Sequence, residues 1–387
     1  MLMSKKICFI LDWYPTKTNN GCVFAKHLIY AVADLGYECT VIAPNIISKS
    51  AFKKVNRVPY ERVEHTEKGN EIRIYTPFYL HCSSHKSAMK LSMNNHYRAA
   101  LKTIRRQDIR PDVVYGHFIY QCGLTAARIG EALNIPAYCA CGENSLRLVK
   151  GKKPYDTGLK HGNWKDIIAK LSGIVCVSGN NKSLLLNNGF VDADMKMDVF
   201  PNGVDGNIFR PMDKKTCRNH LGLPEDAFIV AYTGAFTVNK GADRLNEALK
   251  SCQDTYALFM GQGPIDPDCE NILWKGRVPN SQVAKYLNAA DVFVLPTKGE
   301  GCCNAIVEAL ACGLPVVSSD LPFNDDILNE NNSLRIDVEN VQQIRNSIER
   351  LRTDKELREK LTKGAGMSAQ HLNIETRARK ILEFMEL

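Results

Sequence analysis

The sequence has no long apolar run. Nowhere does it hold the roughly 18 consecutive apolar residues that a membrane-spanning helix needs. It has no low-complexity tract and no internal repeat, which sets aside fibrous, disordered and solenoid classes. The opening residues, MLMSKKICFILDWYP, carry two lysines and a short apolar stretch. That stretch is too brief for a signal-peptide core, no small-residue cleavage site follows, and it reads as a first strand. Metal-ligand spacing is missing as well. The chain has 14 cysteines, but only Cys139 with Cys141 and Cys302 with Cys303 lie close, and neither has a second pair at zinc spacing. The expectation is therefore no metal, with reduced and mostly buried thiols in a cytoplasmic protein.

What is present is a long, globular, unevenly charged chain. Its 387 residues exceed one ordinary core and suit two domains. Net charge is +8. Residues 1–200 hold 28 Lys and Arg against 16 Asp and Glu, whereas residues 201–387 hold 22 against 26. A basic first half suggests an anionic partner: nucleic acid, a phosphorylated substrate or an anionic membrane face.

Strand-like and helix-like segments alternate. In the first half KICFIL (6–11), YECTVIAP (37–44), PDVVYGHF (111–118), IPAYCACG (135–142) and SGIVCVSG (172–179) read as strands. Residues 23–36 and 123–134 read as helices. The second half repeats the logic: FIVAYTGAF (228–236), YALFMGQGP (256–264), ADVFVLPT (290–297) and LPVVSSD (314–320), with a helix after the first. Such an order predicts an α/β protein with parallel sheets wrapped by helices. VFPNGVDGNIFRPM (199–212), broken by Pro201, Gly203, Gly206 and Pro211, is the expected linker. Two similar domains with a cleft between them follow, with ligands at the carboxyl ends of the strands.

The stretch KGEGCCNAIVEALACGLPVVSSD carries two glutamates eight positions apart. Asn304 is placed to cap a helix that runs to Cys312 and stops at Gly313. Small or apolar residues surround Glu308 in that helix, which predicts burial, and a buried carboxylate needs donors. Glu300 stands before Gly301, where backbone can approach a ligand closely. The N–H groups of Gly301, Cys302 and Cys303 lead into the helix start, a natural anion site. Spacing alone leaves two readings open. One is a ligand grip; the other is a loop glutamate in water and a core glutamate paired with an arginine.

GEGCCNAIVEALACGLPVV resembles the E-x7-E signature of retaining GT-B glycosyltransferases of family 4. YPTKTNNGCVF, PDVVYGHF, VFPNGVDGNIFRP, TGAFTVNKGADRL and WKGRVPNSQVAKYLNAADVFVLPT agree in order, so the likeness spans the chain. The resemblance implies a GT-B fold, with an acceptor domain over 1–200 completed by a last helix (370–387) and a donor domain over 201–369. It implies sugar transfer from a nucleotide-sugar, expected as a UDP-sugar, to a glycan or lipid-linked acceptor, with anomeric configuration kept and no cofactor or metal. Glu308 would bind ribose hydroxyls. Glu300, with Gly301, Cys302, Cys303 and Asn304, would hold the donor sugar. Lys240 would pair with the diphosphate, Arg277 and Val278 would lie beside the base, and Gly21 and Gly234 would approach the donor. His117 would face the reacting sugar, and Glu143 and Asn144 are acceptor-binding candidates.

Two departures stand out. The family's usual arginine five residues before the lysine of the KG pair is Ala235 here, with Lys298 or Arg244 as candidate substitutes. A histidine usual before a loop glycine is Cys141. A silent nucleotide-sugar sensor or a sugar phosphorylase on the same scaffold is the alternative function. Asp266 and Asp268 form a D-x-D, expected in a surface loop without metal, and GQG (261–263) is too weak for a dinucleotide fingerprint. KSAMKLSMNNHYRAALKTIRR (86–106) reads as an amphipathic surface helix, or as a peripheral contact with an anionic membrane. No recognition motif accompanies its charge, so no nucleic-acid partner is expected.

Overall fold

The computed structural model describes residues 4–16, 21–47, 58–82, 86–143 and 164–387. The chain divides into two compact units, one of residues 1–200 with 378–387 and one of residues 201–377. The division falls inside the last helix, Ile374–Phe384.

In the first unit the strands are β1 (Lys6–Ile10), β2 (Glu38–Ile42), β3 (Asn45–Ile47), β4 (Glu61–His65), β5 (Glu71–Tyr75), β6 (Phe78–Leu80), β7 (Val113–His117), β8 (Ala137–Cys141), β9 (Gly173–Cys176) and β10 (Met197–Val199). Eight of them form one sheet in the order β10-β9-β8-β7-β1-β2-β5-β4, and β3 pairs with β6 apart from it. All neighbours in the large sheet run parallel except β4 against β5. Helices cover both faces of a parallel sheet, so its central strands carry apolar residues throughout rather than alternating. Strands β7 and β8 are buried along their whole length. Sequence reading left residues 45–80 unassigned, because β3 and β6 are three residues each and β4 alternates between exposed and half-buried side chains.

The second unit holds β11 (Phe228–Thr233), β12 (Thr255–Met260), β13 (Ile272–Gly276), β14 (Val292–Leu295), β15 (Val316–Ser319) and β16 (Ser333–Ile336), ordered β13-β12-β11-β14-β15-β16 and all parallel. Strand order reverses between β11 and β14, and in the first unit between β1 and β7. At such a reversal the loops from the carboxyl ends diverge and leave room for a ligand.

The last residues of the chain are anchored to the first unit. Phe384 packs on Tyr138 and Phe200, and a Cβ at Gly173 would stand 2.8 Å from its ring. Lys196 pairs with Glu386 at 2.6 Å. The helix Lys86–Arg106 turns Met89, Met93, Ala100, Leu101 and Ile104 inward, and its Lys90, Arg98, Lys102, Arg105 and Arg106 stand exposed. Its apolar face is thus spent on the unit's own core. No helix among the described residues is long and apolar enough to cross a membrane.

Candidate functional site

Two loops leave the strand-order reversal of the second unit. The loop after β11, TGAFTVNKG, is held down by neighbours: Gly234 N–H donates to Met260 O at 3.0 Å, and Phe236 N–H to Gln262 O at 2.9 Å. GQG is the floor that permits this. A Cβ on Gly261 would come within 1.9 Å of the Gly234 oxygen, and one on Gly263 within 2.3 Å of the Phe236 oxygen. The two glycines therefore serve close backbone packing, a role their spacing alone did not reveal. Gly241, at φ +76°, closes the loop; a Cβ there would meet Pro296 O at 2.3 Å.

The loop after β14 lies alongside. Lys298 N–H donates to Asn239 O at 2.8 Å. The ammonium of Lys240 pairs with the Glu300 carboxylate, which also accepts from Thr297 Oγ1 at 2.9 Å. Burial alone would lower the Lys240 pKa, but the neighbouring Cys303 and Glu300 outweigh it, and the pKa is raised above that of an ordinary lysine. Burial and the Glu300 charge push Cys303 up to about 12, so at neutral pH it is a thiol and Glu300 supplies the charge. Thr297 was not singled out from sequence; its place three residues before Glu300 was the available signal.

The helix Asn304–Ala311 follows. Asn304 does not cap it. Cys303 occupies the cap position without a side-chain bond, and Asn304 is the first helical residue. Its Oδ1 accepts instead from Asn202 Nδ2 at 2.8 Å. Asn202 also donates to Cys302 O at 3.1 Å, and its backbone N–H to Cys302 Sγ at 3.3 Å. The segment before Gly203 thus fastens the glutamate loop, a second role that spacing did not disclose. Among the described residues, the N–H groups of residues 301–305 donate to no backbone carbonyl.

Glu308 sits one turn into the helix, half-buried, and Ile306, Val307, Ala309, Leu310 and Ala311 are buried around it. Among the described residues its carboxylate has neither hydrogen bond nor ion pair. Burial pushes its pKa up to about 8. The alternative of a core glutamate paired with an arginine is not what the structure shows.

The other residues named from sequence are placed as follows. Arg277 is exposed and Val278 half-buried, directly after Gly276 at the end of β13. Ala235 is exposed. Neither candidate substitute for an arginine there is uncommitted. Arg244 donates to Pro296 O at 2.7 Å and Val238 O at 2.9 Å, and Lys298 pairs with Glu339 at 2.6 Å. Asp266 pairs with Lys275, and Asp268 with Lys250 and Asn246.

In the first unit, His117 ends β7, buried, with its ring against Phe24 and Phe118 at 5.0 and 4.9 Å between centroids. Phe118 takes φ +73°, a left-handed conformation. The strained turn is held by Glu143, whose carboxylate accepts from the N–H groups of Ile119, Tyr120 and Gly142. Burial raises the Glu143 pKa, against backbone hydrogen bonds that include those from Ile119 and Tyr120. Gly21 precedes the helix Val23–Asp34, and Asn144 lies outside the described residues.

Comparison with known proteins identifies the family. A profile described as Glycosyl transferases group 1 matches residues 227–354, and one described as Glycosyltransferase Family 4 matches residues 23–207. The chain belongs to the group 1, family 4 glycosyltransferases. It is a GT-B protein that transfers a sugar from a nucleotide-sugar. It is 29% identical over 362 residues to a Bacillus subtilis protein described as a teichuronic acid biosynthesis glycosyltransferase, TuaC, covering 89% of this chain and 88% of that one. It is 28% identical over 219 residues, 50% of this chain and 55% of the other, to an Escherichia coli UDP-Gal:alpha-D-GlcNAc-diphosphoundecaprenol alpha-1,3-galactosyltransferase. Its fold matches sucrose-phosphate synthase of Thermosynechococcus elongatus with a TM-score of 0.77, covering 99% and 98% of the two chains at 17% identity.

Proposed function

We propose that the protein is a retaining, metal-independent glycosyltransferase that uses a UDP-sugar and a glycan or lipid-linked acceptor. The observation that carries this reading is the Glu308 carboxylate, half-buried in an apolar helix and without a partner among the described residues. Such a group is costly unless a ligand completes it. The two ribose hydroxyls of a nucleotide are donors of the right kind, and their arrival favours the ionised form of Glu308. Arg277 and Val278, at the end of β13, flank the base.

Glu300 and the N–H groups of Gly301 and Cys302 receive the hydroxyls of the donor sugar. Lys240 then shares its charge between Glu300 and the diphosphate, and it stabilises the leaving group as the glycosidic bond breaks. His117 hydrogen-bonds the reacting sugar. With three N–H groups already on its carboxylate, Glu143 serves chiefly to shape the turn after His117. The exposed basic face of Lys86–Arg106 suits an anionic membrane surface that presents a lipid-linked acceptor, each basic residue contributing about 1 kcal/mol.

The test is a screen of UDP-sugars with a diphospholipid acceptor, followed by nuclear magnetic resonance of the product. The expected result is one accepted UDP-sugar and a product with the donor's anomeric configuration. An inverted product, or transfer only from donors with another base, contradicts the proposal.

A further inference from the structure

The reversal of strand order in the first unit holds a cluster that sugar transfer leaves unused. Asp12 lies just beyond β1, and Cys122 lies in the wide turn Ile119–Gly123 beyond β7. His96, from the helix Lys86–Arg106, completes the group. One oxygen of Asp12, one ring nitrogen of His96 and the sulfur of Cys122 all lie within 4.8 Å of one another. Cys122 Sγ stands 3.2 Å from Asp12 Oδ1, and His96 Nε2 stands 4.0 Å from the same oxygen.

We propose that Asp12, His96 and Cys122 form a binding site for a divalent transition metal, zinc above all. Three observations support it independently of any motif. His96 is fully buried, and among the described residues its Nε2 has no hydrogen-bond partner although it faces the cluster. A lone buried ring nitrogen is costly unless something accepts its lone pair or its proton. His96 Nδ1 is meanwhile engaged with Thr125 Oγ1 at 2.8 Å. When Nδ1 carries the proton and donates to Thr125, Nε2 is left as the ligating lone pair, which is how a hydrogen bond at the far ring nitrogen orients a metal-bound histidine.

The spacing fits as well. A tetrahedral zinc site with bonds of about 2.0–2.3 Å sets its ligand atoms roughly 3.3–3.8 Å apart. The cluster therefore needs only small side-chain shifts to close on an ion. Imidazole with thiolate and one carboxylate is a donor set that selects zinc over magnesium or calcium. Entry is open through Asp12, whose side chain keeps 28% of its exposure. On binding, Cys122 releases its thiol proton to solvent and bonds to the metal as thiolate, with no change of oxidation state. A fourth position remains for water. All three ligands come from the first unit.

The test uses the full-length protein, reduced and stripped with a chelator, titrated with cobalt(II) as a spectroscopic stand-in and with zinc(II) by calorimetry. The expected result is one equivalent bound, with a thiolate-to-cobalt charge-transfer band, tetrahedral ligand-field bands and displacement by zinc. Cys122→Ser should abolish the charge-transfer band. Asp12→Asn, at a partly exposed position, should weaken zinc binding by more than about 100-fold, and Thr125→Val, which keeps all three ligands, by about 10- to 100-fold. A folded parent protein that shows no charge-transfer band overturns the proposal without recourse to any variant. So does a band that survives in Cys122→Ser, which would place the metal on another of the cysteines.

Discussion

In the second unit, β11 and β14 hand the chain to loops that hold Lys240 against Glu300 and leave Glu308 without a partner among the described residues. In the first, β1 and β7 hand it to loops where Glu143 is bonded by three backbone N–H groups and Asp12 accepts from Cys122. Both are strand-order reversals in parallel sheets, so topology offers each a place for ligands. The difference lies in what the carboxylates have been given. Glu143 is engaged by the protein and shapes a turn, and Glu300 is paired with Lys240 before any ligand arrives. Among the described residues Glu308 is not paired, and its cost in the unliganded protein is the reserve from which ligand binding draws.

The most severe way to break the second-unit loops is Lys240→Ala. It removes the cation assigned to the diphosphate and leaves Glu300 half-buried with Thr297 alone. We expect kcat/KM to fall about 100- to 1,000-fold, the range for loss of one pre-placed charge-stabilising group. Steady-state transfer assays measure this. A change of only a few-fold would mean that the ion pair is structural.

Glu308→Gln sharpens the contrast between satisfied and unsatisfied carboxylates. Hydrogen bonds to a charged group contribute about 1.5–3 kcal/mol, so UDP affinity should drop about 10- to 150-fold by calorimetry. The same variant should be more stable without ligand. The Glu308 carboxyl is raised from 4.5 to about 8 in the folded protein. Between those values the folded state holds the proton and the unfolded state does not, so the stability of the parent falls as pH rises through that window. The Tm advantage of Glu308→Gln should be absent at pH 4 and largest at pH 8 and above. A variant less stable than the parent at pH 8 would show that the carboxylate has a protein partner after all.

Glu143→Gln tests the other side. One Glu143 oxygen accepts from Ile119 and Tyr120 and the other from Gly142, so an amide keeps one acceptor and turns its NH2 on the remaining N–H; we expect a loss of about 1–2 kcal/mol of stability with UDP affinity unchanged. Denaturant unfolding and calorimetry read the two separately; a large fall in UDP affinity would place Glu143 in the donor site. The smallest effect is expected from Ala235→Arg. The position is exposed, and Arg244 and Lys298 are engaged elsewhere. One added exposed cation contributes about 0.5–1 kcal/mol, so UDP should bind roughly two- to five-fold tighter, an effect that salt suppresses.

The same comparison explains what was legible in the sequence. The donor loops lie close along the chain, from Thr233 to Glu308, and each sits at the end of an apolar strand, so spacing and glycine placement exposed them. Strands β1, β7, β8, β11 and β14 were legible for the same reason: buried parallel strands are uninterrupted apolar runs. What escaped depended on distant partners. Asn202 binds residues 302 and 304, Gly261 and Gly263 are dictated by a loop some 27 residues earlier, and Asp12, His96 and Cys122 meet only through the fold. Asn304 looked like a helix cap because its type and place fit; a better partner in Asn202 took its side chain.

The central claim is that Glu308 receives ribose hydroxyls, and a double-mutant cycle between protein and ligand tests it most directly. Binding of UDP and of 2′,3′-dideoxy-UDP would be measured by calorimetry on the parent and on Glu308→Ala. Removal of the hydroxyls should cost the parent at least tenfold in affinity and cost Glu308→Ala almost nothing. An equal loss in both proteins would mean that the hydroxyls and this carboxylate never meet.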